Sequence, residues 1–254
     1  MSQAPLRIAV IGARGKLGSF ACELVGRTPG LELVASFGQS DDWRGELAHS
    51  RAAVALESTR AGFGFDHGVA LLERGVRPLI ATSGVTPEQS DELDRRARQL
   101  SLGGIVVPNF SIGALLLQRF CEQAARWFDG AEIFEMHHVR KADAPSGTAA
   151  ETARRIAAAR RAGGLPPFKP ATPGFSARGA IRDGVPVHSV RLAGLYAHEE
   201  VLFGATGESL TLRHDMSGPE AFAPGLLLAL RHAATASGVA HGLEHALASH
   251  SRRP

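Results

Sequence analysis

From Glu135 to Thr148 the chain reads Glu-Met-His-His-Val-Arg-Lys-Ala-Asp-Ala-Pro-Ser-Gly-Thr, which puts two imidazoles, an ammonium and a helix-opening turn close together. A histidine can give up a proton near neutral pH because its ordinary pKa lies close by. His137 and His138 are therefore candidate proton donors. Lys141 can neutralise a carboxylate or assist the protonation. Ser146, Gly147 and Thr148 lead into a helical stretch, Ala149 to Ala162, and backbone N–H groups at such a start make an anion site. The Ser146 and Thr148 hydroxyls either cap that helix or bind the ligand. Together these residues can hold a small carboxylate substrate and give it a proton. Adjacent histidines are also a zinc pattern, but no third His, Cys or Asp stands at a persuasive spacing, so no metal is expected. Asp143-Ala-Pro145 reads as a turn as readily as part of a site. His241, His245 and His250 are the strongest candidates for no catalytic role.

The second chemical signal is Gly12-Ala-Arg-Gly-Lys-Leu-Gly18. Gly12, Gly15 and Gly18 have the spacing of a tight turn that lets a pyrophosphate approach the backbone at a helix N-terminus, with Arg14, Lys16 and Leu17 between them. Three glycines alone would fit a structural turn equally well. Their position between a strand and a helix favours a nucleotide loop. An acidic residue usually ends the second strand of such a unit and binds the ribose. Here the strand ends Ser36-Phe37-Gly38-Gln39, with Asp41 and Asp42 slightly later. The missing acid and the nearby cations favour NADPH over NADH; the alternative is that Arg14 and Lys16 are merely exposed charges.

The elements that must position these residues follow from hydrophobic periodicity. Leu6–Ile11 reads as a buried strand, Lys16–Gly26 as a helix with Leu17, Phe20, Ala21 and Leu24 on one face, and Leu31–Phe37 as the next strand. Ala53–Glu57, Arg77–Ala81 and Gly104–Val107 continue the strands, separated by helices over 65–74 and from Thr86 to about Leu100. Thr86-Pro-Glu-Gln89 has the form of a capping box with proline in the first turn. Five strands alternating with helices favour a doubly wound parallel sheet. After Pro108 the pattern changes. Ala114–Trp127 reads as a helix with Leu115, Leu116, Phe120 and Ala124 available for burial. Strands follow at 131–137, 185–192, 199–203 and 209–214, the last two joined as a hairpin by Gly204–Gly207. Residues 163–178 hold four prolines and read as a long loop. In the strand from Ala131 to His137, period two puts Ile133, Glu135 and His137 on one face and Phe134, Met136 and His138 on the other. The two histidines then diverge unless the strand ends there. A helical stretch, Ala221–Ala236, is expected to return to the first domain. The domains are read as 1–112 with 219–254, and 113–218.

Hydrophobic content of 44% and charged content of 21% are ordinary for a soluble globular chain of 254 residues. A net charge of +3 without a Lys/Arg run argues against a nucleic-acid partner. Cys22 and Cys121 lie far apart, which fits free thiols in a reducing compartment better than a disulfide or a Cys-based metal site. No apolar run approaches membrane-spanning length, and residues 2–7 have no signal-peptide layout. The expected location is the cytoplasm.

The segment from Glu135 to Ala149 resembles that of the 4-hydroxy-tetrahydrodipicolinate reductase (dihydrodipicolinate reductase) family. The Gly12–Gly18 loop, Pro108-Asn-Phe-Ser-Ile-Gly113, Val187-His-Ser-Val-Arg-Leu192 and Gly207-Glu-Ser-Leu-Thr-Leu-Arg-His214 are similar to the family's as well, so the resemblance spans nearly the whole chain. It implies NAD(P)H-dependent reduction of a small cyclic dicarboxylate in the diaminopimelate route to lysine. It also implies a Rossmann-type domain, an α+β substrate domain whose mixed, largely antiparallel sheet builds a homotetramer, and closure between the domains. By that resemblance His137 is the acid and Lys141 assists it. His138, Gly147 and Thr148 contact the dicarboxylate, and Thr82, Ser83, Gly84, Pro108, Asn109 and Phe110 lie along the nicotinamide. Four positions depart from the family pattern. Ala81-Thr-Ser-Gly84 replaces Gly-Thr-Thr-Gly, and Glu57-Ser58-Thr59 replaces Asp-Phe-Thr. Gly38 replaces the strand-end acid, and Pro219 stands where arginine is frequent. The alternatives are another nicotinamide-dependent imine or semialdehyde reductase, or a non-catalytic dinucleotide-binding relative.

Overall fold

The structure, a computed structural model, describes residues 4–169 and 176–251, with the side chains of Ser176, His250 and Ser251 outside the description. The proline-rich stretch 163–178 thus lies partly beyond the described residues, as does the side chain of His250. The chain begins β1 (Leu6–Ile11), α1 (Lys16–Arg27), β2 (Leu31–Phe37), α2 (Trp43–Ser50), β3 (Val54–Glu57), α3 (Gly64–Glu73), β4 (Arg77–Ile80), α4 (Pro87–Gln99) and β5 (Gly103–Val106). It continues α5 (Ile112–Ala124), β6 (Gly130–His137), α6 (Gly147–Ala162), β7 (Ala180–Arg182), β8 (Val185–Arg191), β9 (Ala197–Ala205) and β10 (Glu208–Met216). It ends with α7 (Ala223–Thr235), β11 (Gly238–His241) and α8 (Leu243–Ser251). These elements form two compact units, residues 1–110 with 222–254, and residues 111–221.

The first unit is a doubly wound sheet of six parallel strands in the order β11-β5-β4-β3-β1-β2. Its central strands are buried on both faces, which is why β1, β3 and β4 read as near-continuous apolar runs. Helix α4 opens on the expected capping box: the Thr86 hydroxyl accepts from the Gln89 N–H, and the Gln89 side chain accepts from the Thr86 N–H. Two elements carried too little signal to be anticipated. Helix α2 buries only Trp43 and Leu47 and so has almost no apolar stripe. Strand β11 is four residues long and ends on a histidine, yet it pairs with β5 as a sixth parallel strand. Strand β7 and helix α8 were also not anticipated.

The second unit is a five-stranded mixed sheet in the order β10-β9-β6-β8-β7, in which only β6 and β8 run parallel. Helices α5 and α6 cover one face. Its core joins Leu117 and Cys121 of α5, Ala153 and Ile156 of α6, and Ile133, Val187, Val201 and Phe203 of the strands. The expected burial of α5 is half corrected. Leu115 and Ala124 are buried, but Leu116 and Phe120 are exposed, because the covered stripe runs through Leu117 and Cys121 instead. The other sheet face carries exposed Val190 and Leu202 and a stacked Phe134–His188 pair.

Candidate active site

In the first unit, strands running the same way deliver their following loops to one edge. The glycine loop follows β1, Ser58 and Thr59 follow β3, Thr82–Gly84 follow β4, and Pro108–Phe110 follow β5. The glycine loop is closed down on its neighbours: the N–H groups of Gly12 and Ala13 both donate to the Phe37 carbonyl at 2.9 Å. Gly12 has φ +86°, and a Cβ there would stand 2.6 Å from the Ser58 carbonyl oxygen. A Cβ on Gly18 would collide with the Gly12 carbonyl. Both positions therefore require glycine. Helix α1 starts at Gly15 with no side-chain cap and no acidic residue in its first turn, so its N-terminal dipole is open to an anion. Arg14 and Lys16 are exposed beside it, Leu17 partly buried.

The missing strand-end acid has a visible consequence. The Arg14 side chain lies over Gly38, where a Cβ would stand 2.7 Å from Arg14 Nε. Asp41 accepts from the Gly38 N–H at 2.7 Å and lies 3.7 Å from the Arg14 guanidinium. Nearby, the fully buried Glu57 accepts from Thr59 and, at 2.6 Å, from the Thr82 hydroxyl, with His67 Nδ1 at 3.2 Å. Burial pushes the Glu57 carboxyl up, but the hydrogen bonds outweigh it and hold the group below its ordinary range. Ser83 and Gly84 are exposed, as is Pro108; Asn109 is partly buried and Phe110 fully so.

In the second unit the period-two reading of β6 holds: Ile133 and Glu135 are buried on one face, with His137 next along it. The strand ends at His137, so His138 enters a turn in which the Lys141 N–H returns to the His138 carbonyl. Glu135 organises everything around it. Its Oε2 meets His137 Nδ1 at 2.6 Å, and Arg191 of β8 grips both oxygens, at 2.9 and 2.8 Å. The Ser146 N–H donates to its Oε1 at 3.2 Å. Burial alone would raise this carboxyl, yet the bonds from His137 and Arg191 hold it down at about 2. Arg191 also donates to the carbonyls of Lys141 and Asp143, tying the 138–143 loop to the sheet. With Nδ1 engaged, the other ring nitrogen of His137, Nε2, is the one available for proton exchange.

Ser146 caps α6, its hydroxyl accepting from the Ala149 N–H at 3.2 Å. Gly147 and Thr148 form the first turn. Lys141 Nζ makes a two-pronged ion pair with Asp143, at 2.8 and 2.9 Å. Asp143 also accepts from the Gly147 N–H; the hydrogen bond from Lys141 is the main reason its carboxyl titrates low. One carboxylate of the chain thus bridges the Lys141 ammonium and the Gly147 N–H, both expected to hold a substrate carboxylate. Among the described residues no three His, Cys, Asp or Glu side chains are grouped to hold a metal ion.

Comparison with known proteins bears on both units. Residues 6–110 match the family model for the dihydrodipicolinate reductase N-terminus, and residues 113–247 match that for its C-terminus. The chain belongs to the dihydrodipicolinate reductase family. It is 44% identical to the 4-hydroxy-tetrahydrodipicolinate reductase of Streptomyces griseus over 95% of this chain and 98% of that one. It is 39% identical to that of Coxiella burnetii over 95% and 99%. The dipicolinate-bound dihydrodipicolinate reductase of Paenisporosarcina sp. TG-14 superposes with a TM-score of 0.82 at 35% identity, covering 94% of this chain and 98% of that one.

One departure from the reductase family pattern, Glu57, is hydrogen-bonded to Thr82 in the segment that carries another. Arg191 and Asp143 are the site residues whose contacts sequence reasoning missed. Arg191 reaches Glu135 across 56 positions of chain, a separation no local pattern reveals. The available signal was Glu135 itself: a carboxylate on the apolar face of a strand must be either paired with a cation or kept neutral.

Proposed function

We propose that this chain reduces 4-hydroxy-tetrahydrodipicolinate to tetrahydrodipicolinate with a nicotinamide dinucleotide, in the diaminopimelate route to lysine. The observation that carries the reading is a histidine fixed by a buried carboxylate beside a helix N-terminus. It occurs in a chain that matches reductases of this name along 95% of its length. The glycine cradle fits a dinucleotide, because the two positions where a Cβ would collide keep the loop tight against the backbone and leave α1 uncapped. Residues 12–18 would hold its pyrophosphate, and Thr82–Gly84 with Pro108–Phe110 its nicotinamide end. Bound there, the reduced dinucleotide supplies the hydride. Arg14 over Gly38 supports NADPH as the preferred form, since a guanidinium there suits a 2′-phosphate.

On the substrate side, Lys141 and the first-turn N–H groups of Gly147 and Thr148 bind the cyclic dicarboxylate, with His138 beside them and Ser146 shaping the turn. The substrate carboxylate competes with Asp143 for Lys141. Glu135 orients the His137 ring, and Nε2 delivers the proton. The dipicolinate bound to the Paenisporosarcina protein supports this substrate class. The uncovered face of the second sheet, with exposed Val190 and Leu202 among its polar side chains, is where a homotetramer would assemble. A cytoplasmic location fits two free cysteines and the absence, among the described residues, of any helix long and apolar enough to cross a membrane.

Replacing the acid tests the assignment. His137→Ala is expected to lose about 10²–10⁴-fold in turnover, the usual worth of positioned acid catalysis. Wild-type turnover in the folded variant would remove His137 from the mechanism.

A further inference from the structure

Behind the carboxylate site lies a second buried acid that the mechanism does not use. Glu199 of β9 stands opposite Glu135 in the β6–β9 register, on the face covered by α5 and α6. It is only 5% exposed, and its Oε1 has no hydrogen-bond partner among the described residues. Its other contact is Thr152 of α6. The Thr152 hydroxyl donates to the Thr148 carbonyl at 3.1 Å, and Gln118 of α5 donates to Thr152 Oγ1 at 3.3 Å and to the Thr148 carbonyl at 3.5 Å. A short polar chain therefore runs from Glu199 to the first turn of α6. A Thr152 hydrogen directed at Glu199 favours the carboxylate; directed at Thr148, it leaves Oγ1 to accept from a protonated Glu199, which then completes the chain as a donor. An ionised Glu199 has no proton to offer.

We propose that Glu199 is a protonation-dependent positioning residue for the α6 carboxylate site: its neutral form completes the Thr152–Gln118–Thr148 chain, and its ionisation puts a second buried negative charge behind the site and weakens dicarboxylate binding. This rests on the reading of Gly147 and Thr148 as the substrate-carboxylate site. Among the described residues, those facing it offer the ionised form no uncommitted cation. Glu135 faces it from β6 and is held as an anion. His214, its register partner on β10, packs against Gly113, and burial pushes that imidazole below its ordinary range. Cys121 faces it from α5, where burial pushes the thiol up and keeps it neutral, and α6 presents Thr152. Arg155 of α6 is committed to Glu122 and Glu151. Burial, helped by the Glu135 charge, outweighs the lowering effect of the Thr152 hydrogen bond and raises the Glu199 carboxyl to about 7, so the change falls in the physiological range.

The test is dipicolinate affinity by calorimetry, with NADPH present, for wild type and Glu199→Gln across the pH range. A unit charge about 10 Å from a bound carboxylate changes binding roughly fivefold at an intermediate dielectric. The two proteins should bind alike at about pH 6. At about pH 8.5 the variant should bind roughly fivefold tighter. Glu199→Met should behave as the glutamine variant does, and provides a second neutral side chain should that one fold poorly. Glu199→Asp should keep the wild-type pH dependence. A purely structural role would change affinity by the same factor at every pH, and that result, or no difference at any pH, overturns the proposal. Absence of dipicolinate binding to every protein at pH 6 would instead overturn the substrate reading on which it rests.

Discussion

Glu135 stays charged although no part of it reaches solvent, because Arg191 and His137 replace the water it has lost. Its stabilising effect has a definite pH window. The folded carboxyl titrates at about 2 against an ordinary 4.5, so its contribution is complete above 4.5 and disappears as pH falls towards 2. The difference amounts to roughly 3 kcal/mol of folding free energy. Urea melts of wild type and Glu135→Gln, compared between about pH 5 and pH 2, should therefore converge as acid is added. A gap that stays constant over that range would mean the carboxylate is not held as an anion. The placement of Glu135 and His137 on one strand face was legible from alternation alone. Arg191 was not, because a cation supplied by a neighbouring strand leaves no periodic trace. Lys141 was legible as a cation but not as one already paired with Asp143.

At the scale of elements, two helix N-termini, one in each unit, are built differently. Helix α1 begins on a glycine with no side-chain cap, whereas α6 begins on a serine that is itself anchored to Glu135. The end of β2 bears on the choice of cofactor. A side chain at Gly38 cannot coexist with Arg14 in its present place. Gly38→Asp should displace that guanidinium and supply the ribose-binding acid, shifting the NADPH-to-NADH preference towards NADH by about tenfold, the worth of one charge-assisted hydrogen bond. Steady-state kcat/KM with each cofactor measures this, and an unchanged ratio would separate Arg14 from cofactor choice. Long periodic elements were legible, as was the capping box at Thr86. Helix α2 was not, since two buried residues make no stripe, and the helical pattern of α5 placed Leu116 and Phe120 inside where Leu117 and Cys121 are buried.

For the whole molecule, the chain builds five parallel strands, leaves to form residues 111–221, and returns through α7 to add β11 beside β5. The end of strict strand–helix alternation after Pro108 was legible, as was a late apolar helix, whereas the last strand was too short to register. The Gly12–Gly18 loop belongs to the first unit, and His137 and the start of α6 to the second. Each unit matches one of the two family models, so neither alone accounts for family membership along the chain. The most direct measurement is oxidation of NADPH, and separately NADH, by the purified protein with substrate freshly formed from pyruvate and aspartate semialdehyde. Substrate-dependent turnover, faster with NADPH, is the expected result. Folded protein that binds NADPH yet oxidises neither cofactor with this substrate would contradict the assignment as a reductase.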